Sequence, residues 1–194
     1  MRTAKILMTV LLLGTPIWAE AQAKPPAPTG APEVLSGTAE IKNATGALSG
    51  TLEARITRYS LDFDRTTVEA ALKSGGYPKF LAALRNAPQV GELVLGGGKP
   101  YAIRYARERT NAGARTIVLV TDRPVYFVGS NRPEASPKAG YEIALVEIQL
   151  DAAGRGKGIM AAAARVRPDG DGGVLLDDYA EQPISLINVT RKAQ

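Results

Sequence analysis

Residues 141–167 read YEIALVEIQLDAAGRGKGIMAAAARVR, and two extended arms joined by a glycine-bearing turn is the conformation that suits them best. In the first arm the apolar side chains fall at Tyr141, Ile143 and Leu145, then at Val146, Ile148 and Leu150. Side chains alternate between the two faces of a strand, so the change of parity after Leu145 calls for a bulge or for burial on both faces. A helix would space its apolar positions at i, i+3 and i+4 and would find Val and Ile stiff. The pattern predicts a central strand. Residues 151–156 form the turn, with Gly154 and Gly156 free to take positive φ.

The second arm, residues 158–167, holds Met160 and the alanines 161–164. Alanine is the best helix former, so a helix competes here. Gly158 before the alanines, Pro168 after the arm and the apolar arm beside it favour a strand. A strand of such small side chains suits a place where a helix or another backbone lies close above the sheet.

The N-terminal residues point to export. Arg2 and Lys5 precede an apolar stretch at 6–13, Gly14 and Pro16 break it, and small-x-small sites follow at 19–21 and 21–23. This is the pattern of a cleaved secretory signal covering residues 1–23, too short for a helix that spans a bilayer. Residues 24–35 read as a proline-rich tether and 36–194 as one β-rich domain. Loss of Arg2, Lys5 and Glu20 takes the formal charge from +5 to +4, and Trp18 leaves with the signal. No other stretch is long enough to cross a membrane as a helix.

Two residue types are missing altogether. Without cysteine, an exported domain must hold together by its core alone. Without histidine, His-dependent triads and zinc-protease motifs are excluded, and any metal site would be oxygen-only. No cofactor motif survives either. Lys99 follows glycines 96–98, but Pro100 stands where a phosphate loop needs Ser or Thr, so a hairpin turn is expected. Residues 169–180 miss the glycine and the glutamate of a calcium loop, which leaves a tight turn and no metal. The triplets 43–45 and 188–190 are glycosylation sequons, relevant only on a eukaryotic secretory route.

The rest of the chain reads as strands around one helical insertion. Ser-Gly-Thr at 36–38 and again at 49–51 opens strands at 38–42 and 51–59. Thr66 and Glu69 make a capping box, Val68, Ala71 and Leu72 a stripe, and Gly75–Gly76 a stop. Pro78 then starts a second short helix, 78–86, with Phe80, Leu81 and Leu84 inward. Further strands are expected at 90–95, 101–109, 116–121, 125–128, 174–178 and 184–190, with the longest loop at 130–140. The fold class is α+β: mainly antiparallel β, about eight to nine strands curled into a barrel or half-barrel, with a short αα insertion. The alternative is a β-sandwich.

Basic charge concentrates in residues 101–132, where arginines at 104, 107, 109, 115, 123 and 132 face only Glu108 and Asp122. Tyrosines are interleaved with them. Arg104, Tyr105, Arg107, Arg109, Arg123 and Tyr126 are therefore the candidate ligand-binding residues, suited to a small anion, a lipid headgroup or a wall polymer. The competing reading is a solvated strand face whose arginine stems cover apolar surface. Nucleic acid does not suit an exported chain. The composition points to a non-enzymatic binding domain, exported and periplasmic in a bacterial envelope. The alternatives are a hydrolase of envelope glycans using two carboxylates, drawn from Asp62, Asp64, Glu69, Asp122 and Glu147, and an adhesive partner-binding module.

Overall fold

The computed structural model describes residues 31–43, 46–126, 138–170 and 172–193. The signal, most of the tether, the greater part of the 130–140 loop and residues 44–45 of the 43–45 sequon lie outside them. Nine strands and one helix follow in the order β1 (Glu33–Asn43), β2 (Gly46–Ile56), α1 (Asp62–Asn86), β3 (Gly91–Leu95), β4 (Tyr101–Asn111), β5 (Ala114–Thr121), β6 (Ile143–Leu150), β7 (Arg155–Pro168), β8 (Val174–Tyr179) and β9 (Ile184–Ala193). All strand pairs are antiparallel.

Eight strands close into a barrel. The order β6-β5-β4-β3-β2-β1-β9-β7 ends with β7 pairing back onto β6, and β8 hangs outside on the far half of β7. The sandwich and half-barrel alternatives therefore give way to a single closed sheet. Closure satisfies the edges that an open sheet would expose. An eight-stranded barrel is just wide enough for side chains to fill, and Leu35, Leu52, Leu93, Ile117, Ile148 and Leu186 are among those that do.

In the hairpin of β6 and β7, β6 is buried along most of its length and β7 at most positions from Met160 to Val166. Ala144, Val146, Ile148 and Leu150 face the barrel interior, while Ile143 and Leu145 face outward beneath α1. The parity change in the sequence is thus burial on both faces, in a strand that alternates throughout. The bulge falls on the partner: Ile143 pairs with Ala164 but Leu145 with Ala161. The alanine arm is strand, and α1 covers it. Ala161 and Ala164 pack with Val68, Leu72, Phe80 and Leu84 of the helix. Gly158 meets a different demand, because a Cβ there would run into the Glu147 carbonyl on β6.

Three local expectations change. The αα insertion runs as one element, α1, from Asp62 to Asn86, in two helical segments that meet at Gly76 (φ 65°, ψ −164°), two residues before Pro78, where the stop is expected; its start is what changes. It starts four residues before Thr66, whose hydroxyl donates back to the Asp62 carbonyl at 2.7 Å and caps nothing. Residues 33–35, read as the end of the tether, belong to β1, and Leu35 is fully buried. Finally, of the strand expected at 125–128, residues 125 and 126 form none, and 127–128 lie outside the described residues. The Thr121 hydroxyl donates to the Arg123 carbonyl and turns the chain, and Val125 makes a single backbone bond to Ala162 at the β7 bulge. Among the described residues, no helix is long and apolar enough to cross a membrane.

Candidate functional site

β4 carries the basic face, and a bulge divides it. The register against β5 shifts between Ile103 and Tyr105. After the bulge, Ala106 points into the barrel, and Tyr105, Arg107 and Arg109 share the outer face. Arg104, in the bulge itself, turns away. It donates to the Asp122 carboxylate at 3.2 Å and to the Ala87 carbonyl at 3.0 Å. Arg123 donates to the Pro100 carbonyl and stacks 4.8 Å above the Tyr101 ring. The Tyr126 backbone N–H donates to the Tyr101 hydroxyl at 3.2 Å. The six candidate residues thus separate into two groups of three: Arg104, Arg123 and Tyr126 brace the loops at one barrel end, and Tyr105, Arg107 and Arg109 line the wall.

The second group forms a cleft. Tyr105 is buried and donates its hydroxyl to Glu69 of α1 at 2.8 Å. Burial, and then the Glu69 charge, push the Tyr105 hydroxyl well above its ordinary pKa, so it stays a donor. Arg107 reaches the same carboxylate at 3.5 Å, and Arg65 reaches it at 3.6 Å. Beyond them Asp169, Gly172 and Gly173, in the connection between β7 and β8, lie over the face. Arg107 and Arg109 both donate to the Gly172 carbonyl, and Arg109 also pairs with Asp169. Between turn and wall is a cleft of about 140 Å³. Its apolar sides are Val118, Val174 and Leu175, and Thr116 and Glu147 complete its floor. Typical drug-sized pockets are several-fold larger, so this one suits a small ligand or the terminal group of a larger one.

A third cluster escaped the sequence. At the end of the barrel where β1 starts and β9 finishes, Glu33 is fully buried. Arg115 grips it with both terminal nitrogens, at 2.8 and 3.2 Å, and also pairs with Glu108. Tyr59 and Arg191 donate to it as well. Burial alone would raise the Glu33 pKa. The hydrogen bonds from Arg115, Tyr59 and Arg191 outweigh it and hold the carboxyl below its ordinary value. The same burial and the Glu33 charge raise the Tyr59 hydroxyl. The alternation Arg115, Ile117, Leu119 would have revealed the inward arginine, since the two apolar residues face the interior.

Among the described residues, no group of three or more Asp or Glu is placed to hold a metal ion. Asp169 is spent on Arg109, and Asp177 lies 3.2 Å from Arg165. Glycines 96–98 lie in the turn that joins β3 to β4. Of the acids expected to supply a carboxylate pair, Glu147 lines the cleft; Asp62 and Asp64 sit at the start of α1, and Asp122 pairs with Arg104. No protein-family model, no curated protein and no solved structure matches this chain.

Proposed function

We propose that this protein is an exported, periplasmic, non-enzymatic binding domain whose outer cleft takes a small amphipathic acid. The observation that carries the reading is the convergence of two guanidinium groups, Arg107 and Arg109, beside the apolar surface of Val118, Val174 and Leu175. Paired arginines favour an anionic oxygen group, and the apolar walls favour a short hydrocarbon body. Export rests on the sequence of residues 1–23.

Calorimetric titration of the mature chain with hexanoate and with hexanol tests the binding. Hexanoate binds and hexanol does not, and the Arg107→Ala/Arg109→Ala double variant loses the hexanoate heat. Equal heats for wild type and double variant, or none for either, overturn the reading. Export is checked by fractionating cells and determining the N-terminal residue of the mature protein. A full-length chain in the cytoplasm contradicts it.

One observation favours a second reading. Glu147 and Asp169 line the same cleft, as a hydrolase using two carboxylates would need. Release of sugar from cell-wall glycan by the wild type, abolished in Glu147→Gln, would promote the enzyme over the binding domain.

A further inference from the structure

The cleft is partly filled by the protein itself. The Asp169 carboxylate lies on Arg109, and the Gly172 carbonyl accepts from both arginines. We infer that these two oxygen groups stand in for those of the ligand. The cleft then selects a carboxylate with an amide carbonyl close by, as in an N-acylated amino acid or the C-terminal residue of a peptide. The inference rests on the binding function proposed above and specifies the ligand class for that same cleft.

Three features make the stand-in displaceable. β8 lies outside the closed barrel, so the turn that leads into it is not part of the eight-stranded wall. Gly172 and Gly173 take positive φ, 78° and 125°, and a side chain at Gly173 would collide with Arg107 and Arg109. Between Pro168 and Val174, which pair with each other and of which Val174 is buried beneath α1, the turn owes its seat to glycine and to polar contacts. Lastly, the Arg109 side chain is 39% exposed and can be reached from solvent. A ligand carboxylate would take Arg109 from Asp169, its carbonyl would take the place of Gly172, and its side chain would lie against Val118 and Leu175.

Competition between turn and ligand lowers the apparent affinity of the wild type, and weakening the turn restores it. The test titrates N-acetyl-leucine, N-acetyl-leucine amide and 4-methylpentanoate into the wild type, Asp169→Asn and Arg107→Ala/Arg109→Ala. N-acetyl-leucine binds the wild type, and Asp169→Asn tightens it on the order of tenfold. Its amide, lacking the carboxylate, binds neither. On binding, hydrogen exchange of the amides at Asp169 and Gly172 accelerates, a readout independent of the substitution. If N-acetyl-leucine binds through the arginines but Asp169→Asn is no tighter and exchange is unchanged, the stand-in is refuted while the binding function survives. If 4-methylpentanoate binds as tightly as N-acetyl-leucine, the carbonyl requirement is refuted. If no acid binds any variant, both the ligand class and the binding function fall. A capped dipeptide in place of N-acetyl-leucine separates a peptide end from a free acyl amino acid, and the tighter of the two is the ligand source.

Discussion

Two clusters in this barrel use the same residue types and do different work. The Glu33 cluster and the Tyr105 cleft each combine a tyrosine, two arginines and a pair of acids. The first lies inside the barrel at one end, with its glutamate fully buried and the Arg115 side chain 11% exposed. The second lies on the outer wall, where Arg109 is 39% exposed and a cleft separates the side chains. An ion pair gains most from its partner where water cannot replace it, and little where water can. The inner cluster is therefore a plug that fixes β1, β4, β5 and β9 together. The outer one can exchange its partners, which is what a binding site requires.

The sharpest way to break this contrast is Arg115→Ala. It leaves Glu33 and Glu108 without their main partner in the barrel, and the expected loss of stability is about 3–5 kcal/mol by urea denaturation. A loss under about 1 kcal/mol would mean that water reaches the cluster, and the two regions would then be alike. Next in size is the packing beneath the helix. Ala164→Leu adds volume where α1 leaves none and should cost about 1–3 kcal/mol, whereas unchanged stability would mean that the helix sits further from the alanine arm.

Acid distinguishes the clusters by a different route. Because the folded Glu33 carboxyl titrates below its unfolded value of roughly 4.3, its contribution is present above that value. As pH falls from there through the lower folded value, the unfolded chain binds more protons and the contribution is lost. Stability should drop over this window in the wild type, and the part due to Glu33 should vanish in Glu33→Gln. Parallel pH profiles for the two proteins would contradict the assignment. The smallest effect is expected outside the barrel, where Arg109→Ala should change stability by less than about 1 kcal/mol while removing hexanoate binding.

What the sequence disclosed follows from which interactions are local. The β6–β7 hairpin, its turn, and a helix lying over the alanine arm were legible because alternation, glycine placement and small side chains act over a few residues. The break at Gly75–Gly76 was legible for the same reason, and the two helical segments meet at Gly76. A barrel was within reach of the strand count and short connections, but the choice of full closure over a half-barrel or sandwich was not, because it depends on β1 pairing with β9 from the opposite end of the chain. So was the exclusion of β8, whose sequence reads like any other strand. The candidate site was half legible. Counting arginines found the β4 face, but the bulge at Arg104 decides which of them share it. The Glu33 plug is not legible, because Glu33 follows a proline-rich stretch that reads as tether, and the charge of Arg115 hides the inward face it shares with Ile117 and Leu119.

The most direct test of the division between plug and cleft is a ¹⁵N NMR titration of the mature chain with hexanoate. The predicted result is a set of amide shifts confined to Tyr105, Arg107, Arg109, Thr116 and Leu175, with Glu33, Tyr59 and Arg191 unmoved, and no shifts in Arg107→Ala/Arg109→Ala. Shifts centred on the Glu33 cluster, or shifts that persist in the double variant, would contradict it.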